Sequence, residues 1–170
     1  TMNIFAVSRH PVKCARALDD KRLNKMILET AQIICTVLNL DAGSQVAPYK
    51  NCHVNHPVVK WAREPNSSAK RMRWLYALGI AYGEEIIYRH GRKHSCHLLL
   101  EGLTFKWPFL TMFPADLKLN DFHNGARHKG LGLDFTHLPV GKAYRAYLRV
   151  RWKGDKRPPK WTRRGEPIWR

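Results

Sequence analysis

Residues 19–38 read DDKRLNKMILETAQIICTVL, and this stretch decides the fold. Leu23, Ile27, Ile34 and Leu38 recur at helical spacing, as do Met26, Ile33 and Val37, so one long apolar face runs along a helix. Asp19-Asp20 offers a cap and negative charge at its start, and the helix is expected to reach about Leu38. A second line on the same helix is polar: Arg22, Lys25, Glu29, Gln32 and Thr36 step by three and four. It carries a single carboxylate between cations. In a nucleic-acid enzyme such a group can steer a proton or stabilise a cationic sugar transition state. The competing reading is an ordinary ion pair between Lys25 and Glu29, worth about 0.2–0.5 kcal/mol.

Working outward, Met2 to Val7 alternates weakly and is expected to be an extended lead-in, with a short helical turn opened by Pro11. Residues 39–54 read as loop. Asn55-His56-Pro57 looks like a helix start running to about Arg63, where Pro65 breaks it. Ser67-Ser68 can cap a helix over about 69–90, with Met72, Leu75, Leu78, Tyr82 and Ile86 on one side and Gly91 as its stop. A short helix is expected over 94–101, a long ordered loop over 104–138, and a final helix from Pro139 that carries Tyr144, Tyr147, Leu148 and Val150. The expected fold is therefore all-α: a single compact domain over 1–170, with about three main helices plus short ones. An extended basic-aromatic tail closes it over 154–170.

Charge is the loudest feature of the composition. Lys and Arg number 30 against 13 acids, a formal +17. Residues 141–170 alone hold eleven cations and two acids, over half of that surplus. Such a chain attracts polyanions, and neutralising phosphates releases counterions whatever the base sequence. A merely solvated basic surface is the plainer reading. Trp152, Trp161 and Trp169 interleave with Arg and Lys, a pattern suited to stacking on unpaired bases or to pinning the tail onto the core.

Hydrophobic residues at 44 % exclude a disordered composition. No run approaches the ~18 apolar residues of a membrane span, and no signal-peptide run opens the chain, so a cytoplasmic location is expected (host cytoplasm for a phage-encoded protein). Cys14, Cys35, Cys52 and Cys96 form no CxxC pair, and Cys35 among Ile33, Ile34 and Val37 reads as a buried reduced thiol. The histidines at 53, 56, 90, 94 and 97 meet no standard zinc spacing, so helix-cap, phosphate-contacting or core duties are favoured and no metal or cofactor is expected. At the amino terminus, an α-amino group titrates at about 7.7–8.0 against about 10.4 for lysine, which makes it the better nucleophile at neutral pH. Thr1 fits the end left when an initiator Met is removed, and equally a remnant ahead of Met2.

Three stretches resemble the pyrimidine-dimer DNA glycosylases of the bacteriophage endonuclease V type. Thr1-Met2-Asn3-Ile4-Phe5 resembles that family's opening Thr with an Asn close behind. Leu18-Asp19-Asp20-Lys21-Arg22-Leu23 resembles its Leu-x-Asp-Gln-His-Leu segment, and Asp20 to Glu29 reproduces its interval to a catalytic Glu. Asn55-His56-Pro57-Val58 resembles its Gly-His-Val segment at a helix start. Arg22 stands where the family has His, and Leu28 where it has Arg. The resemblance is spread along the chain and most specific over residues 1–29.

It implies a DNA-repair glycosylase with associated AP-lyase activity on damaged pyrimidines. The α-amine of Thr1 would attack the sugar to form a Schiff base, and Glu29 would assist ring opening and later proton abstraction. Lys21, Arg22, Lys25, Gln32, His56, Trp161, Arg163 and Arg164 are the candidate DNA contacts, and the partner is double-stranded DNA with an extruded or damaged base, bound by a monomer. Two alternatives share the scaffold: a phage-type base-modifying enzyme, and a non-enzymatic basic DNA-binding protein. Glu29 separates them, because a pure binder gains nothing from a carboxylate on its cationic face.

Overall fold

A computed structural model describes residues 2–112 and 116–170. The expected central helix is α2, Asp20–Ala42. The Asp19 side chain accepts a hydrogen bond from the Arg22 amide (3.3 Å) at its start, and Gly43, at φ +71°, ends it in the left-handed conformation. Residues 39–42 thus continue the helix rather than opening a loop. Asn39 explains why: its side chain is buried and bonds Tyr49 O, Val46 N and Ala47 N, tying the following loop back to the helix.

Helix α1, Pro11–Ala17, precedes it, and α3, Pro57–Ala62, follows with the His56 ring capping the Val58 amide (3.1 Å). Helix α4, Ser68–His90, lies along α2 and stops at Gly91 (φ +66°). Ser67 occupies its N-cap position without a side-chain hydrogen bond. Every apolar residue expected on the faces of α2 and α4 is buried. Helix α5 spans Ser95–Leu103 and α6 spans Val140–Lys153. The described residues of the long connection between them form three short 3₁₀ turns and a two-residue antiparallel pair, β1 (Arg127–His128) with β2 (Leu133–Asp134), in which Arg127 faces Asp134. The architecture is all-α apart from that pair.

The amino-terminal segment is extended, as expected, but it is core rather than lead-in. Residues 2–7 are all buried, Ile4 and Ala6 completely. Phe5, at φ +42°, packs its ring against Tyr144 and Tyr147 of α6 (centroids 6.0 Å each). The Asn3 amide donates to Gly125 O (3.1 Å), joining this segment to the long connection.

The tail is extended and firmly attached. Asp20 N donates to Lys160 O (2.8 Å), and Thr162 Oγ1 donates to Asp20 (2.6 Å). Trp152 is buried with its ring nitrogen on Asp19 Oδ1 (2.7 Å), and Trp161 and Trp169 pack on its ring at 5.1 and 5.5 Å between centroids. No helix among the described residues is long and apolar enough to cross a membrane.

Candidate active site and nucleic-acid interface

Glu29 sits midway along α2 on the polar line that the sequence picks out. It is only 8 % exposed, so this line is not a solvent-facing stripe. Thr36, further along, is fully buried and exchanges hydrogen bonds with the Cys52 backbone. Lys25, largely exposed, brings its ammonium to 3.4 Å from Glu29 Oε1. The other oxygen, Oε2, is buried and has no hydrogen-bond partner among the described residues. Buried polar atoms are nearly always partnered, and an unpartnered carboxylate oxygen costs several kcal/mol, about 1–3 or more. Such a group is retained where chemistry uses it, or where a ligand completes it.

Across from it on α4, Tyr82 is fully buried and its hydroxyl is equally unpartnered. Burial, and then the neighbouring Cys14, Glu29 and Tyr144, push its ionisation well above the usual tyrosine range. The Tyr82 hydroxyl is thus held in its protonated form, close enough to Glu29 for that carboxylate to contribute.

The remaining sequence candidates fall into separate places. Lys25, Glu29 and the half-buried Gln32 share the middle of α2. Lys21 and Arg22 lie a helix turn or more away; Lys21 is about 12 Å from Glu29 along the axis at 1.5 Å per residue. Arg22 is turned to the tail: its guanidinium donates to Asp155 through both terminal nitrogens (2.8 and 2.9 Å) and to Asp19 (3.1 Å). A fork engaged by two carboxylates holds structure together before it holds a phosphate. Arg164 is likewise paired bidentately with Glu85 (2.8 and 3.0 Å). Trp161 donates its ring N–H to Ala17 O (3.0 Å). Arg163 and Lys21 are exposed, and Lys21 borders a cavity of about 750 Å³ formed with the tail residues 154–160. Thr1 lies outside the described residues.

His56 opens onto a third place that the sequence reading did not assemble. A cleft of about 760 Å³ runs between Met2, His56 and the loop that supplies His123, Arg127, His128 and Lys129. Because its Nδ1 caps α3, His56 keeps only Nε2 for other contacts. Burial, followed by the positive charge of His53 and Arg127, lowers the His56 pKa; burial, then His56 and Arg127, lowers that of His123. Both rings are neutral at pH 7 and become cationic in acid or beside an anion. The signal in the sequence was the run Arg127-His128-Lys129 between Gly125 and Gly130. Read alone it is a basic loop; its apposition to Met2 and His56 is a tertiary fact. Elsewhere His94 caps α5 through Cys96 N (3.0 Å) and His97 is buried against Gly83, and no cluster of three His, Cys, Asp or Glu among the described residues is placed to hold a metal ion.

An all-α frame with a buried, lysine-paired glutamate, in a chain of formal charge +17, defines a class of small, basic helical proteins. Within that class the chain can be placed more closely. Residues 2–97 match the family model described as pyrimidine dimer DNA glycosylase, and the chain belongs to that family. No curated protein and no solved structure matches the chain. The matched segment contains Glu29, Tyr82 and His56 and ends inside α5, so the β1–β2 pair, α6 and the tail all lie beyond it.

Proposed function

We propose that the protein is a DNA glycosylase with an associated lyase step, acting on damaged pyrimidines in double-stranded DNA. The observation that carries this reading is the Glu29 carboxylate, buried on one oxygen and unpartnered there, within the segment that matches the family. In the reaction the α-amine of Thr1 attacks C1′ of the damaged nucleotide. The glycosidic bond breaks, its electron pair leaves with the base, and the amine loses a proton to give a glycosylamine; the C1′–O4′ bond then breaks, O4′ takes a proton, and the nitrogen becomes an iminium. Glu29 stabilises the cationic sugar as the ring opens, then removes a proton from C2′ so that the 3′ phosphate departs by elimination. In this reading the Lys25 ammonium, 3.4 Å from Glu29 Oε1, orients that carboxylate and meets a flanking phosphate. The basic surface holds the duplex, and unstacking is easiest at a damaged base.

Borohydride trapping tests this directly. Untagged protein is incubated with oligonucleotides carrying a cyclobutane dimer or an abasic site, then reduced. A covalent adduct that maps to Thr1 is the expected result. Glu29→Gln should lower the rate by about 10²- to 10⁴-fold while DNA binding is kept or tightened. If no adduct forms on either substrate, the protein is not this enzyme; if Glu29→Gln changes only DNA affinity, it is a binder.

A further inference from the structure

The cleft beside His56 is built largely by residues outside the family-matched segment, and its chemistry is that of an anion site. Arg127 and Lys129 are exposed, their backbones bond Gly125 O and Gly132 N, and neither side chain makes an ion pair or hydrogen bond among the described residues. Asp134, the one carboxylate on the cleft among the described residues, faces Arg127 across the β pair but directs Oδ1 to the Thr136 amide (2.9 Å) and hydroxyl (2.6 Å). The His128 Nδ1 atom is buried at this cleft without a partner. Glycines let the rings lie close to the backbone: a Cβ at Gly125 would come within 3.2 Å of His123 Nε2, and one at Gly130 within 3.3 Å of His128 Cε1.

The cleft is also anchored. Tyr144 of α6 accepts from Gly125 N (2.9 Å) and donates to His123 O (2.9 Å), while Asn3 holds Gly125 O from the other side. Cations that lack partners are thus held on a fixed base directly beside the amino-terminal segment. The volume suits part of one strand and not a whole duplex.

We propose that this cleft is a phosphodiester subsite that grips the DNA strand alongside the amino-terminal segment, with Arg127 and Lys129 on phosphate oxygens and His128 donating from within. It rests on the reading above only for the identity of the strand as DNA. Its role is to fix where along the duplex the amino-terminal segment meets the sugar.

The test is the salt dependence of binding to an undamaged duplex by the full chain, read by fluorescence anisotropy. The Arg127→Ala/Lys129→Ala variant is compared with the wild type and with Lys50→Ala/Lys70→Ala, which removes the same charge from exposed positions that do not line the cleft. The cleft variant should bind about 10-fold more weakly near 0.1 M salt and lose about 2 from the slope of log K against log salt, one per phosphate contact. An unchanged slope, or an equal loss in the control variant, overturns the subsite. Displacement of the duplex by inorganic phosphate at matched ionic strength overturns it in favour of a free-anion site. Glycosylase activity measured on the same preparations keeps the two readings apart. Wild-type activity with an unaltered slope sinks only the subsite; a lowered slope without any wild-type activity sinks only the enzyme.

Discussion

Arg89, in the last turn of α4, ties three helices together. It is 1 % exposed and donates to Glu85 Oε1 (2.9 Å), Asp20 Oδ1 (3.1 Å), Leu18 O (2.7 Å) and Arg16 O (3.2 Å). One planar fork thus joins the end of α1, the start of α2 and the last turn of α4. Arg89→Met should cost about 3–5 kcal/mol, because the carbonyls and Asp20 lose their donor inside the protein. The check is a urea midpoint that falls with an unchanged slope. Arg89→Lys should recover only part of that loss, since a single ammonium cannot reach four acceptors. In the sequence Arg89 is one more cation near the end of a helix, and nothing local distinguishes it from a solvated one. Glu29 is the opposite case: its spacing marks it, and the structure adds the burial of Oε2.

Helix packing turns on two glycines of α4. A Cβ at Gly79 would stand 2.5 Å from Leu100 Cδ1, and one at Gly83 would stand 2.4 Å from the His97 ring. The pair, one turn apart, opens the groove into which α5 lays His97 and Leu100. Gly83→Ala should therefore destabilise by about 1–3 kcal/mol through overpacking. Gly102, within α5 but with nothing near its missing Cβ, predicts the reverse. Gly102→Ala should stabilise by about 0.4–1 kcal/mol by restricting the unfolded chain and favouring the helix. Thermal melts of the two variants should move in opposite directions; a rise in Tm for Gly83→Ala would mean that α5 is free to shift. Helical periodicity predicts both α4 and α5, but it does not say that a glycine pair marks where they touch.

Over the whole molecule, the tail acts as a strap across the first turn of α2, and some of its fastenings are ionic. Hydrogen bonds from Arg22 hold the Asp155 carboxyl below the usual range. For Asp20 burial opposes the change, but Thr162 and Arg89 lower its pKa; for Glu85 burial again opposes, and Arg164 and Arg89 lower it. All three folded values lie below the unfolded ones, so their stabilisation is complete above the unfolded pKa of about 3.9 for Asp and about 4.3 for Glu. It is lost as pH falls through the folded values. Stability should be level near neutrality and decline below about pH 4, with tryptophan fluorescence changing as Trp152 and its neighbours separate, and Asp155→Asn should flatten part of the decline. A urea midpoint that holds steady down to about pH 3 would show that the strap is held by its tryptophans alone. The sequence by itself determined the all-α class, the long helices and their apolar faces, the start of α2 at Asp19 and the stop of α4 at Gly91, and the resemblance that points to Glu29. These are local or periodic signals, legible because a helix repeats within a few residues. Only the tertiary structure decided that Arg22 and Arg164 fasten the tail, that residues 2–7 are core, and that Met2, His56 and Arg127 share one cleft. Those outcomes depend on which partner, 54 to 133 positions away, a polar group meets once the apolar faces have closed.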